Sequence, residues 1–399
     1  MKAVPRNVVV ELVDQHGVPV GHLPAFTVRE PWWQDVTEIV SNVRRKFDVD
    51  IAVLRLLRAD RPVPPGGSVT YLAEQSGGLK SLSEGSCTSP ADEPRRLQYA
   101  RPGGPAKTVG WAREALRERG IALVNQQQFR TWSLSSIWRL TTTAGELWLK
   151  EVPHLLSFES LLSVRLGEEL GALTPPVICS SATRIIFRHI EGVDCYYASP
   201  ALRLRIAGAI HRIHTESRAF VAGLLADGLP DRRGYSSLAG LETLSALVPS
   251  VARNSRLLQD LALERVERAE RDGTPAVLLH GDLHPGNVRH TGDGLVILDW
   301  SNAYLGHPAF DVIRLTEGLP ADQESRVVEG WARLWRAQCS HSKISESVRL
   351  LRPVHFLMRA IVTATYLTAF ERSEHKYHRD NLHSYVRRLF SSLGLGTYH

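Results

Sequence analysis

Between Ser76 and Pro105 the chain reads SGGLKSLSEGSCTSPADEPRRLQYARPGGP, rich in Ser, Gly and Pro and without any hydrophobic period. Such a stretch offers no face to a core, so the chain has to fold as separate pieces on either side of it. Ahead of it, NVVVELV (residues 7–13) reads as a strand closed by the turn residues Asp14 to Gly17, and VPVGHLPAFTV reads as a second strand. In DVTEIVSNVRRKF the apolar residues Val36, Ile39, Val40, Val43 and Phe47 recur at helical spacing, and DIAVLRLL and SVTYLAE supply two more strands. The expectation is an α/β accessory module over residues 1–75, a size that can fold, followed by a flexible linker over residues 76–108.

Behind the linker, VGWAREALRERGI reads as a helix stopped by Gly120. Two β-like runs follow, FRTWSLSSIWRLTT and ELWLKEV, parted by Ala144-Gly145; then come a helix from Phe158 to Leu173 and two strands in VICSSATRIIFRHIEG. From Pro200 the pattern is mostly helical, with one strand-rich insert from Ala276 to Trp300. Strands first and helices afterwards predict two lobes, a β-rich one over 109–190 and a helical one over 191–399, and an α+β class overall.

Composition narrows the functional classes. With 43% hydrophobic and 23% charged residues among 399, wholesale disorder is excluded. No run approaches the roughly 20 apolar residues of a bilayer span, and the opening MKAVPRNVVVELVDQHG lacks the apolar segment of a signal peptide, so a cytoplasmic protein with no membrane attachment is expected. Cys87, Cys179, Cys195 and Cys339 are too scattered for a zinc site and are read as reduced thiols. The net charge of +6 is spread in short groups such as Arg44-Arg45-Lys46 and Arg387-Arg388, which predicts no nucleic-acid partner. The cations comprise 41 Arg and 7 Lys, and Lys150 is the one lysine between Thr108 and Ser342.

The segment LHGDLHPGNVRHTGDGLVILDWSNAYLGHPAFDVIRL, residues 279–315, carries the chemistry. Asp282 is followed five residues later by Asn287, and Asp299 ends the apolar strand LVIL. Phosphoryl transfer needs a carboxylate beside the attacking hydroxyl and oxygen ligands for Mg²⁺, and the kinase signature spaces its Asp, Asn and second Asp in this way. Its strand-borne lysine, a point charge not interchangeable with arginine at a phosphate, has a counterpart in Lys150 of ELWLKEV.

The pattern HGDxHxxN followed by Leu298-Asp299-Trp300 resembles the aminoglycoside phosphotransferase and choline kinase family, from about residue 109 to 399. That resemblance implies a bilobal protein-kinase-like fold and an ATP- and Mg²⁺-dependent kinase acting on a hydroxyl of a small molecule, an antibiotic or a metabolite. It implies Asp282 as the catalytic carboxylate, Asn287 and Asp299 as Mg²⁺ ligands, and His280, His284 and Asp311 (of Gly306-x-Pro308-x-x-Asp311) as supports of the catalytic loop. It also implies Lys150 on the nucleotide phosphates, Glu159 as the best match for the helix partner of Lys150 with Glu168 and Glu169 as the alternatives under a shifted register, Ser135 and Ser136 in a serine-bearing phosphate turn, and His189 with Ile190 in the connector that meets the base. The alternative class is a nucleotide-binding pseudokinase acting through its N-terminal module; a protein kinase is disfavoured by the lack of an A-P-E segment.

The module's element order is similar to a Nudix sandwich, but Arg44, Arg45 and Lys46 stand where glutamates would hold Mg²⁺, so a non-catalytic role is expected. Trp32 and Trp33 are read as packing residues. His211 and His214 are read as core or surface histidines rather than a metal pair, and His375, His378 and His383 as a solvated face. Residues 301–399 hold 13 Lys and Arg against 9 Asp and Glu, which predicts a neutral or weakly charged hydroxylated acceptor over a polycation.

Overall fold

The computed structural model describes residues 4–76, 93–292 and 294–395. It divides into two compact units: Met1–Leu155 with Ile178–His189 and Tyr366–Asp380, and Leu156–Val177 with Ile190–Thr365 and Asn381–His399.

The first unit opens with β1 (Arg6–Val13), β2 (Pro19–Val28), α1 (Thr37–Phe47), β3 (Asp50–Ala59) and β4 (Gly67–Ser76). The four strands form one sheet in the order β2-β1-β4-β3, with β1 and β4 parallel and the outer pairs antiparallel. Alternation puts Val8, Val10 and Leu12 of β1 on one face, where they meet Leu23, Phe26 and the helical stripe Val36, Ile39 and Val43. Trp33 is fully buried in that core and its indole donates to the Gly66 carbonyl at 2.8 Å, whereas Trp32 is exposed.

Next come α2 (Gly104–Arg117), β5 (Leu123–Trp132), β6 (Ser135–Thr142), β7 (Gly145–Glu151), β8 (Val177–Ser180) and β9 (Arg184–Arg188), whose strands are ordered β5-β6-β7-β9-β8. The run FRTWSLSSIWRLTT is itself a hairpin, turning at Ser133-Leu134 with Trp132 opposite Ser135. Val109, Ala112 and Leu116 of α2 cover Trp138, Leu140, Leu147, Leu149 and Ile186 of this sheet.

The accessory module is welded to this sheet. Val36 N–H donates to Phe129 O and Thr131 N–H to Gln34 O, each at 3.0 Å. The buried Gln128 amide accepts from Val53 N–H and donates to Val53 O, both at 2.8 Å, imitating one more step of a strand ladder. The linker expected over 76–108 is therefore shorter at its far end: Tyr99 and Ala100 are buried, Tyr99 donates to Trp132 O at 2.8 Å, and α2 already starts at Gly104. Residues 77–92 of that stretch lie outside the described residues, as does Cys87; Cys179, Cys195 and Cys339 are free thiols.

Tyr366–Asp380 also belongs to this unit. Tyr377 joins the module core, its ring 6.2 Å from Trp33 and 5.7 Å from Trp132. His378, expected on a solvated face, is buried: it stacks on Trp132 and its Nε2 lies 2.7 Å from Ser133 Oγ, and burial pushes it down to about 3. Of the expected trio only His383 is exposed, and His375 is half-buried.

The second unit contains α3 (Phe158–Leu170), β10 (Val193–Asp194), α4 (Pro200–Glu216), α5 (Val221–Ala226), α6 (Leu241–Leu247), α7 (Pro249–Arg253) and α8 (Ser255–Glu270). It continues through β11 (Val277–Leu279), β12 (Val288–His290), β13 (Leu295–Ile297), β14 (Tyr304–Gly306), α9 (Ala309–Thr316), α10 (Ala321–Gln338), α11 (Ile344–Ala369) and α12 (Arg379–Leu393). The strands pair as β10-β12-β13 and β11-β14, and the segment expected to carry the chemistry runs through both of these small sheets. Among the described residues no helix is long and apolar enough to cross a membrane.

Candidate active site

β11 is buried along its whole length, and the chain leaves it through His280, Gly281 and Asp282. His280 is fully buried. Its Nε2 lies 2.8 Å from Leu298 O, a pure acceptor, so this nitrogen carries the proton and Nδ1 is left to accept from Asp282 N–H at 3.2 Å. The imidazole thus ties the start of the loop to the end of β13. Gly281 sits at φ 77, and a Cβ there would stand 2.0 Å from the Asn302 carbonyl oxygen, so only glycine fits. The turn closes through His284 N–H on Asp282 O at 2.8 Å, Gly286 N–H on His284 Nδ1 at 3.1 Å and Asn287 Nδ2 on Asp282 O at 3.1 Å. Burial lowers His284 to about 4, so it is neutral at pH 7 and available as that acceptor.

Asp311, on α9, holds the loop from behind. Its Oδ1 accepts from Gly281 N–H at 3.0 Å, and its Oδ2 accepts from His280 N–H at 2.9 Å and from His214 Nε2 at 3.0 Å. His214, read from sequence as a core or surface histidine, is the third donor on this carboxylate. It is fully buried on α4. Among the described residues, no group of three or more His, Cys, Asp or Glu is arranged to hold a metal.

Asn287 and Asp299 converge on the same loop, because Leu298 N–H donates to Asn287 O at 2.8 Å. The Asn287 amide nitrogen donates to Asp282 O, so its side-chain oxygen is the end that could hold a cation. Asp299 is exposed and takes φ 64, one of two non-glycine residues at positive φ among the described residues, with Oδ1 accepting from Ser301 Oγ at 2.8 Å. Two accessible hard oxygen donors suit Mg²⁺, which keeps waters and phosphate oxygens in its remaining positions.

The Asp282 carboxylate has company that sequence reasoning missed. Arg314 Nε of α9 lies 2.7 Å from its Oδ1, and an Arg359 terminal nitrogen of α11 lies 3.1 Å from the same oxygen. Arg359 also donates to Gly281 O at 3.2 Å. Burial would raise the Asp282 pKa, but Arg359 and Arg314 hold it well below the ordinary carboxylate range. The only sequence signal was the basic excess after Ser301, which does not name these two residues.

The residues expected on the nucleotide side are placed as follows. Lys150 lies in β7, opposite Ile137 of β6 and Ile185 of β9, in the first unit. Glu159 lies buried in the first turn of α3, in the second unit. Ser135 and Ser136 are buried, and their hydroxyls accept from the indoles of Trp132 at 3.3 Å and Trp138 at 3.0 Å. Trp148 Nε1 donates to His189 Nδ1 at 2.8 Å and His189 N–H donates to Glu146 O, while Ile190 O accepts from Arg289 Nε at 2.7 Å.

The chain thus has a β-rich segment followed by a helical one, with a histidine-braced Asp-Asn loop and a second aspartate at a strand end. The fold matches an ethanolamine kinase from Plasmodium vivax with TM-score 0.53 and 11% identity, over 69% of this chain and 83% of that one. It matches a choline kinase from Streptococcus pneumoniae with TM-score 0.52 and 15% identity, over 71% and 99%. In sequence, residues 180–344 match the phosphotransferase enzyme family, which bears out the resemblance read from the catalytic loop. No curated protein matches the chain.

Proposed function

We propose that the protein is an ATP- and Mg²⁺-dependent kinase that phosphorylates a hydroxyl of a small molecule. The observation that carries this reading is the single hydrogen-bonded loop in which Asp311 and His280 present Asp282 and Asn287 together, with Asp299 at the adjoining strand end. A structure of the S. pneumoniae choline kinase in complex with AMP, 14% identical over 71% of this chain with TM-score 0.51, supports a nucleotide on this fold.

In this mechanism Asp282 orients the acceptor hydroxyl and receives its proton. With its pKa depressed by two arginines it is a weak base, so alignment of the hydroxyl is its larger contribution. Asn287 and Asp299 would hold Mg²⁺, which when bound would supply positive charge against the nucleotide phosphates. Lys150 would supply the cation for the nucleotide phosphates. Ser135 and Ser136 accept from indole N–H groups, which leaves their O–H hydrogens to donate beside the backbone N–H groups of that turn.

The test is incubation of the full chain with ATP, Mg²⁺ and pooled hydroxylated metabolites and antibiotics, read by mass for a gain of one phosphate. Asp282→Asn should lower transfer by about 100-fold or more while nucleotide affinity stays close to that of the unaltered protein. Transfer at an unaltered rate by that variant would remove Asp282 from the role.

A further inference from the structure

The arginines beside Asp282 set what the acceptor can be. Arg314 and Arg359 converge on one carboxylate oxygen, and Arg388 joins them through Glu317, whose Oε2 it approaches to 2.9 Å. Glu317 is already committed: it accepts from His355 Nε2 at 2.7 Å and from Arg314 at 3.3 Å besides Arg388. Glu324 is paired with Arg352. Thus each carboxylate of this cluster is engaged by a guanidinium, and Arg314, Arg359 and Arg388 outnumber Asp282 and Glu317. The arginines are also held in place: Arg388 lies 4.2 Å from the Phe356 ring centre and Arg359 lies 5.5 Å from that of Tyr385. The cluster is not sealed, for the side chains of Asp282, Arg314, Arg359 and Arg388 are 20%, 18%, 15% and 35% exposed.

A cationic acceptor entering here finds like charge and, within this cluster, carboxylates that each already face a guanidinium. An anionic group finds two guanidinium cations already oriented by Asp282, Glu317 and the Gly281 carbonyl, the side chains that bind carboxylate and phosphate. We propose that Arg314 and Arg359 are specificity-determining residues that bind an anionic group, a carboxylate or a phosphate, carried by the acceptor next to the hydroxyl that is phosphorylated. The proposal rests on the kinase reading above. In the transfer the acceptor oxygen bonds to the γ-phosphorus, the bond from that phosphorus to the bridging oxygen of ADP breaks, and the hydroxyl proton passes to Asp282. Arg314 and Arg359 then serve two anions at once, the acceptor's and Asp282. This keeps the expectation, drawn from the overall charge count, that a polycation is disfavoured, and gives the acceptor a negative group.

The experiment offers the full chain ATP, Mg²⁺ and four separate pools matched in size: hydroxy acids, sugar phosphates, neutral polyols and amino alcohols. Phosphate gain should concentrate in the hydroxy-acid or the sugar-phosphate pool, and which of the two responds identifies the anion. Arg359→Gln and Arg314→Gln should each raise KM for the responding acceptor about thirtyfold or more, with KM for ATP little changed, and Arg359→Lys should recover part of the loss. Preference for polyols or amino alcohols would overturn the inference and leave the kinase reading standing. Transfer into none of the pools would count against both. The pool comparison uses the unaltered protein, so it decides the matter even where an arginine variant fails to fold.

Discussion

Replacing Asp311 with Ala should cost the second unit about 3–5 kcal/mol, the range for removing one member of a buried ionic set and stranding its partners. The structure supplies the reason for that size. Asp311 is buried and accepts three hydrogen bonds, from Gly281 N–H, His280 N–H and His214 Nε2, at 2.9 to 3.0 Å. Each stranded donor costs about 1–3 kcal/mol, and the three share one anion, so the total falls below their sum. For a unit of this size each kcal/mol moves the midpoint by about 2–4 °C, which gives a drop of about 6–20 °C. Calorimetry with circular dichroism reads the transition, and hydrogen exchange at His280 to Asp282 reads the loop itself. Asp311→Asn keeps one acceptor oxygen but turns an NH₂ toward a donor, so its loss should be smaller, with kcat falling more than ATP affinity. A drop below about 2 °C for Asp311→Ala, less than 1 kcal/mol on the same scale, would refute the view that this carboxylate holds the loop.

Gly281→Ala should destabilise by about 2–4 kcal/mol and abolish transfer, because φ 77 and a Cβ 2.0 Å from a backbone oxygen cannot both be relieved by side-chain motion; a stable, active variant in thermal denaturation and transfer assays would contradict it. Glu374 predicts a pH dependence in the first unit. Burial raises its carboxyl to about 8, helped by Glu371, and its Oε2 has no hydrogen-bond partner among the described residues. Since the folded pKa lies above the unfolded one, its stabilising effect is fully present below about pH 4.5 and is lost as pH rises through about 8. Glu374→Gln should therefore flatten the decline of the thermal midpoint between pH 5 and 8, and an unchanged slope would count against a protonated Glu374.

The amino-acid sequence by itself placed Asp282, Asn287 and Asp299 on one loop because the contacts that build it are local. Asp282, Asn287 and Asp299 lie within one short stretch whose turn residues and apolar strand dictate their spacing, and the hydrogen bonds His284 N–H to Asp282 O and Leu298 N–H to Asn287 O close within it. The same holds for the α/β order of the N-terminal module, where a period of two and a period of 3.6 distinguish β1 from α1. Tertiary structure alone decided the rest. The partners of Asp282 come from 32 residues away at Arg314 and from Arg359 on another helix; His214 reaches Asp311 across 97 positions. Gln128 welds the module to the five-stranded sheet across 75, and His378 meets Ser133 across 245. A hydrophobic period records which face of one element is buried, but not which charged or polar side chain of a distant element closes on it. That choice is made when the elements pack, and here it turned a mild basic excess into an arginine pair on the Asp282 carboxylate.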